Sequence, residues 1–279
     1  GRAIKQYVRA HRSRFNNWNP KIVQFVSPQV WASRPSRAYT LADNCDLLLS
    51  IFPFEKEWYA RRVPKLRVEF VGHPMVERMQ NAKCKMQNVK MSPAVVLLAG
   101  SRADEVRRHL PVVIGAFELL RRDLLGLRAK MVLPNEALLQ SVKSIGLPSG
   151  LELQAGDVSS ALAEADLAIT KSGTITMECA AFGLPAVVFY KTSWPTYFIG
   201  KQIVTVRYLA MPNLIADEEI YPEFVQQAAT PERIAHAALL LKRKKKLRAE
   251  VQGELATVIA ALGQPGAPSR AAAAIFSVF

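Results

Sequence analysis

Acidic residues, cysteines and long apolar runs are all scarce in this chain, and each scarcity excludes something. Across 279 residues, 23 Asp and Glu face 37 Lys and Arg, for a formal net charge of +14. A balance so basic calls for an anionic partner or a solvated surface. Only three cysteines occur, Cys45, Cys84 and Cys179. Their spacing fits neither a metal knuckle nor a CxxC redox pair, so they read as free thiols of a reducing compartment. Four scattered histidines, His11, His73, His109 and His236, form no ligand pair, and no metal or other cofactor is expected. The longest apolar stretch, 179–190, is broken by Gly183 and Pro185. Nothing approaches the ~20 apolar residues of a membrane-spanning helix. The opening is basic and polar, begins at Gly1 and lacks a secretory signal. The chain is therefore read as a piece of a longer protein whose start lies upstream.

The positive charge is concentrated at 242–248 (KRKKKLR), at Arg61, Arg62, Lys65 and Arg67, and around 12–14. Three explanations compete: a solvated helix face, attraction to an anionic membrane surface, or nucleic acid. The basic residues lack interleaved aromatics and no nucleic-acid module is recognisable, so nucleic acid is not an expected partner.

What the chain has is alternation. From residue 94 the apolar pattern switches between strand-like and helix-like. Strands are predicted at 94–99, 128–133, 151–154, 167–170 and 186–190. Helices are predicted at 104–122, where Pro111 marks a break or a new first turn, at 136–145, and at 158–165 with Asp157 as N-cap. Such alternation implies right-handed crossovers and a parallel sheet covered on both faces, with ligands at the carboxyl ends of its strands. The segment before residue 80 repeats the habit, with strands at 22–26, 46–52 and 67–71 and helices at 35–44 and 55–62. The polar stretch 80–92 reads as a linker, and the chain beyond about 230 as Ala-rich helix with a Gly/Pro break at 263–268. The expected fold is α/β with two Rossmann-like, doubly wound domains. They comprise an incomplete N-terminal domain at 1–85, a nucleotide-binding domain at 92–230, and helices at 231–279 that pack back on the N-terminal domain in one arrangement.

Within that frame one stretch carries chemistry: Lys171-Ser172-Gly173-Thr174-Ile175-Thr176-Met177-Glu178. A strand entering a small-residue turn and then a helix leaves backbone N–H groups unpaired and aimed at one point, which suits a diphosphate. Glu178, one turn on, is within reach of sugar hydroxyls. The stretch reads as half of a nucleotide-sugar site; the alternative is an ordinary βα turn with a capping hydroxyl and a helix-start acid.

Six stretches in order then point to a family: Phe25-Val26-Ser27-Pro28-Gln29-Val30-Trp31-Ala32; Phe52-Pro53-Phe54-Glu55-Lys56; Phe70-Val71-Gly72-His73-Pro74; Leu98-Ala99-Gly100-Ser101-Arg102 with Glu105-Val106; Ser172-Gly173-Thr174 with Glu178; and Leu209-Ala210-Met211-Pro212-Asn213-Leu214-Ile215-Ala216. In this order and spacing the chain resembles bacterial lipid-A-disaccharide synthase over roughly 20–260. The resemblance implies a two-domain glycosyltransferase of the GT-B type. Such an enzyme joins UDP-2,3-diacylglucosamine to 2,3-diacylglucosamine 1-phosphate through a β-1,6 linkage, with inversion, no metal, and release of UDP. It also implies a place at the cytoplasmic face of the inner membrane, peripheral to an anionic surface, and leaves the oligomeric state open, a homo-oligomer included.

By the same resemblance Arg102 stabilises the departing diphosphate, a role its bidentate guanidinium suits. Ser101, Ser172, Gly173 and Thr174 belong to the diphosphate turns, Glu178 to the ribose and Asn213 to the donor site. Gln29, Trp31 and His73 line the acceptor side. Each has a plainer alternative. Arg102 pairs with Glu105 or Asp104 in a helix start, Asn213 makes an Asx turn, and Trp31 and His73 are structural. Phe54, Trp58 and Tyr59 divide in the same way between core and lipid contact.

Two departures stand out. Ser33 replaces a second Trp, and Asp217-Glu218-Glu219 follow Ala216 where the family has Gly and a basic residue. The acceptor-site glycine turn and the catalytic carboxylate fall upstream of Gly1, so no general base is named and this piece is expected to bind UDP weakly and turn over little. The competing functions are another UDP-sugar transferase or epimerase of the same fold, or a non-catalytic nucleotide or anionic-lipid binding protein.

Overall fold

The computed structural model describes residues 2–11, 14, 18–77 and 94–279; the expected linker 80–92, Cys84 and residues 12–13 lie outside them. In chain order the first elements are α1 (Arg2–Ala10), β1 (Val23–Phe25), α2 (Val30–Ser33), α3 (Arg37–Asn44), β2 (Leu47–Ser50), α4 (Glu55–Arg62) and β3 (Val68–Phe70). Next come β4 (Ala94–Leu98), α5 (Ala103–Asp123), β5 (Arg128–Leu133), α6 (Glu136–Lys143), β6 (Leu151–Ala155), α7 (Val158–Glu164), β7 (Leu167–Lys171), α8 (Ile175–Ala181) and β8 (Ala186–Tyr190). The chain ends with α9 (Trp194–Ile203), α10 (Met211–Ala216), β9 (Glu223–Val225), α11 (Pro231–Arg243), α12 (Lys245–Ala261) and α13 (Ala267–Phe276). These elements fall into two compact units: 2–77 with Gln202–Val206 and Ala260–Phe279, and 94–201 with 207–259.

In the first unit β1, β2 and β3 form a parallel sheet in that order. Leu47, Leu48 and Leu49 of β2 are wholly buried, and their side chains alternate across the sheet. Leu48 packs with Val30, Ala38, Tyr59 and Val63 on one face, and Leu47 and Leu49 with Val71, Ala271 and Ala274 on the other. Each leucine contributes about 1.5–3 kcal/mol by leaving water. Arg270 of α13 ties the last helix to the sheet by donating to the Val71 carbonyl at 2.9 Å.

The second unit carries a six-stranded sheet in the order β6-β5-β4-β7-β8-β9, parallel throughout. Its central strands are the continuous apolar runs of the sequence, and burial on both faces is the reason they do not alternate. From β4 the chain winds outward to β5 and β6, then returns to β7 and winds the other way. The order therefore reverses between β4 and β7, and a doubly wound sheet opens a crevice at the carboxyl ends of such a pair.

Three local expectations are corrected. Pro111 does not break its helix: α5 runs unbroken from Ala103 to Asp123 with Pro111 on its exposed side. The N–H that proline lacks would have bonded the Arg107 carbonyl, and both residues lie on the exposed side, where that carbonyl is open to solvent. Residues 194–203, for which no helix is predicted, form α9, and 211–216, expected as loop, form α10. The basic block at 242–248 is a largely exposed helical stretch, as a solvated face would be, with four of its six cations near carboxylates. Lys242 and Arg248 meet Asp166 at 2.9 and 3.5 Å, Arg243 meets Asp123 at 3.3 Å, and Lys246 meets Glu250 at 3.8 Å. Among the described residues Cys45 and Cys179 are free thiols, and no helix is long and apolar enough to cross a membrane.

Candidate functional site

A cleft of about 210 Å³ opens where the sheet order reverses, lined among others by Gly100, Ser101, Pro134, Lys171, Thr174 and Glu178. Residues that are distant in sequence meet here because β4 and β7 lie side by side and in parallel. Ser101, Thr174 and Glu178, three of the predicted site residues, share its wall.

Two glycines let the backbone line the cleft. Gly100 has φ +145°, and a Cβ there would stand 2.9 Å from the Glu105 Cβ. Gly173 has φ +139°, and a Cβ there would stand 3.2 Å from the Lys171 Nζ. Any side chain at either position would be both strained and in the way.

Glu105 organises the positive side of the mouth. Its carboxylate accepts from the Ser101 N–H at 3.2 Å, lies 3.5 Å from the Lys171 Nζ and 3.7 Å from the Arg102 Nη1. Burial alone would raise its pKa, but the Ser101 N–H, Lys171 and Arg102 outweigh burial and hold it below the usual carboxylate range. Arg102 is the N-cap residue of α5, its side chain is 82% exposed, and it makes the Glu105 pairing that the sequence offers as the plainer alternative. A guanidinium so exposed swings at little cost. Lys171 is different: its side chain is 19% exposed and sits over Gly173. In the sequence Lys171 stands only as the first letter of a turn motif; its place as the last residue of a buried strand at the reversal point is the signal that finds it.

The turn after β7 is tied down from below. Ser172 donates its hydroxyl to the Leu209 carbonyl at 2.7 Å, and its N–H to Phe189 O at 2.9 Å. Thr176 donates to Gly173 O at 2.7 Å and accepts from the Met211 N–H at 3.2 Å. Ser172 therefore braces the turn, while Thr174 and Glu178 face the cleft.

Asn213 does not join them. It is fully buried in α10, with its amide donating to Tyr221 O at 2.7 Å and Glu223 Oε1 at 2.8 Å. Its oxygen accepts from the N–H groups of Ile220 and Tyr221 at 3.1 and 2.8 Å. Glu223 in turn accepts from the Leu209 and Ala210 N–H groups at 2.8 and 2.9 Å. Burial pushes the Glu223 carboxyl up, with those N–H groups and Asn213 opposing it. All four hydrogen bonds an asparagine side chain can make go to its own chain, so its role is to staple 209–223. The acidic run that departs from the family pattern leads elsewhere: Glu219 lines a groove between β9, α11 and α12 with Arg233, Glu250 and Glu254.

In the first unit, of the expected acceptor-side residues Gln29, Trp31 and His73, Trp31 is buried in the structure. It donates from Nε1 to Glu55 Oε1 at 2.9 Å and packs its ring edge-on to Phe54 at 4.9 Å. Glu55 also accepts from the Ile51 and Phe52 N–H groups, and burial raises its carboxyl against those bonds. Tyr59 is wholly buried, and Trp58 is half-buried against the same cluster with Arg62 over its ring at 4.1 Å. Gln29 is half-buried just ahead of α2 and caps nothing with its side chain. His73 accepts from the Met75 N–H at 3.1 Å and stands 5.6 Å from the Phe52 ring; burial lowers its pKa.

His109, one of the four scattered histidines, is a second residue whose place no sequence pattern marks. Its ring is wholly buried under the sheet's carboxyl end, with Nδ1 2.6 Å from Ala99 O and Nε2 3.2 Å from the Lys191 N–H. It thereby joins the exits of β4 and β8. Among the described residues no group of three His, Cys, Asp or Glu is placed to hold a metal.

Comparison with known proteins agrees with this layout. The chain is 35% identical over 260 residues to the lipid-A-disaccharide synthase of Syntrophus aciditrophicus, covering 90% of this chain and 67% of that protein. It is 36% identical over 274 residues to that of a Sulfurihydrogenibium species, covering 90% and 70%. Among solved structures, the UDP-GlcNAc 2-epimerase of Neisseria meningitidis bound to UDP-GlcNAc superimposes with a TM-score of 0.60 at 12% identity, over 92% of this chain and 69% of that one. MurG of Acinetobacter baumannii does so at 0.50 and 15%, over 86% and 62%. At such identities these structures establish the two-Rossmann fold and no more. The family model described as lipid-A-disaccharide synthetase matches residues 6–276, nearly the full span of the described units. Taken with the reversed strand order and the cleft it opens, that match means the chain belongs to the lipid-A-disaccharide synthetase family.

Proposed function

We propose that this chain is a glycosyltransferase that joins UDP-2,3-diacylglucosamine to 2,3-diacylglucosamine 1-phosphate, forming a β-1,6 linkage with inversion and releasing UDP. The observation that carries the reading is the cleft between β4 and β7, where Ser101, Lys171, Thr174 and Glu178 converge. A leaving diphosphate gains negative charge as the sugar bond breaks, and donors fixed in advance stabilise that charge without reorganising. Lys171 and Arg102 are the cations at hand, the Gly100–Ser101 and Gly173–Thr174 turns bring backbone close, and Glu178 faces the place a ribose would occupy. Glu105 holds both cations before the ligand arrives and neutralises part of their charge. The names carried by the sequence relatives favour this reading over an epimerase of the same fold. Acylated substrates put the reaction at a lipid surface, and we infer peripheral attachment at the cytoplasmic face of the inner membrane.

Titration calorimetry with UDP tests the assignment. The chain binds UDP, and Arg102→Ala weakens binding by about 1–3 kcal/mol, the cost of losing one charged hydrogen bond. No heat of UDP binding, or an Arg102→Ala curve matching the parent, rejects the donor site as drawn.

A further inference from the structure

Helix α9 has ten residues and none of them is buried. Trp194, Phe198 and Ile199 are 49%, 59% and 58% exposed. Trp194, Tyr197 and Phe198 form one ring cluster, with centroids 5.8 to 6.0 Å apart. They sit at i, i+3 and i+4, and Lys201 continues the same stripe at i+7. The helix is firmly rooted. The Thr192 N–H and carbonyl are both bonded by the Gln226 amide at 3.0 Å, Lys191 is held by His109 and by Ala229 O, and the Ser193 hydroxyl accepts from the Thr196 N–H at 3.4 Å. A rooted helix that presents two exposed aromatic rings, a half-buried third and an exposed isoleucine has a covering surface to find.

We propose that α9 is the docking surface for a lipid bilayer bearing anionic headgroups. Trp194, Tyr197 and Phe198 enter the boundary between headgroups and acyl chains, and Lys201 and Arg207 meet the lipid phosphates. Charge selects this occupant. No Asp or Glu lies between Glu178 and Asp217, while Lys191, Lys201 and Arg207 do, in a chain of net charge +14. Arg207 is exposed with its guanidinium 5.2 Å over the Tyr208 ring. Amphipathic rings flanked by cations are what an interface-seated helix presents. The placement serves the chemistry: α9 begins just beyond β8, and β4, β7 and β8 are parallel, so helix and cleft lie at one edge of the sheet. The inference rests on the proposed function only in that acylated substrates bring the enzyme to a membrane.

Flotation of the full chain with vesicles tests it, using a quarter phosphatidylglycerol in phosphatidylethanolamine against pure phosphatidylcholine. The parent floats with the anionic vesicles and not the neutral ones. Trp194→Ser with Phe198→Ser lowers the floated fraction roughly ten-fold, since two buried rings are lost. Lys201→Glu lowers it in low salt and less so in high salt. UDP binding, measured on the same preparations, stays at the parent value, so a failed UDP assignment and a failed docking surface are told apart. Parent protein that ignores anionic vesicles, or a double variant that floats like the parent, overturns the proposal. A double variant that floats like the parent but sediments as a smaller species also overturns it, because α9 then covers a second copy of the chain.

Discussion

Lys171 and Glu105 face each other at 3.5 Å across the cleft mouth, one from the last residue of β7 and the other from the first turn of α5. Glu105 also takes the Ser101 N–H and stands near Arg102, so a single carboxylate positions every cation and donor on that side. In the function proposed above, a diphosphate would compete with Glu105 for those partners. The free site is therefore ordered and partly neutral rather than a bare positive patch, which would draw any anion.

Substituting Lys171 measures its share. Lys171→Met keeps the stem that covers Gly173 and removes the charge. UDP binding should weaken by about 1.5–3 kcal/mol, as loss of a charge-assisted contact does, while Lys171→Arg keeps most of the affinity. Calorimetry with UDP on both variants checks this, with circular dichroism to show the fold intact. A Met variant that binds like the parent removes Lys171 from the diphosphate site.

Asn213 separates a staple from a ligand. Asn213→Ala leaves the N–H groups of Ile220 and Tyr221, the Tyr221 carbonyl and Glu223 each short of a partner in a buried setting. The expected loss is about 2–4 kcal/mol of stability by urea unfolding. UDP affinity of the folded fraction should change little. The reverse pattern, unchanged unfolding with lost UDP binding, would return Asn213 to the donor site.

These cases show where the sequence was legible. The strands β4, β7 and β8 were plain because burial on both faces writes them as near-unbroken apolar runs, and Gly173 with Glu178 marked the turn that follows β7. Lys171 was not, because its importance depends on Glu105, 66 positions earlier, and pairing across parallel strands leaves no local pattern. Asn213 and Trp31 misled for one reason. A polar atom near a strand end looks the same whether it meets a ligand or its own chain, and their partners Glu223 and Glu55 lie ten and 24 residues away. Helix α9 escaped because Pro195 and Gly200 punctuate it and no buried face imposes a helical period. Strand β9, at three residues, is too short to carry one.

His109 gives the second unit a pH-sensitive joint. Burial holds its ring below the usual value of 6.5, opposed by its bonds to Ala99 and Lys191. The unfolded chain, with an ordinary histidine, takes up a proton that the folded chain resists. Stability from this group is therefore complete above pH 6.5 and declines as pH falls toward the lowered folded value, below which it changes no further. Melting temperature measured from pH 7.5 to 5 should fall across that lower window. His109→Gln keeps a donor and an acceptor but does not titrate, so its curve should be lower at pH 7.5 and flatter below 6.5. His73 is also lowered by burial and contributes in the same direction, so His73→Gln serves as the comparison. If His109→Gln retains the full slope of the parent while His73→Gln abolishes it, the joint between β4 and β8 is not the source of the acid sensitivity.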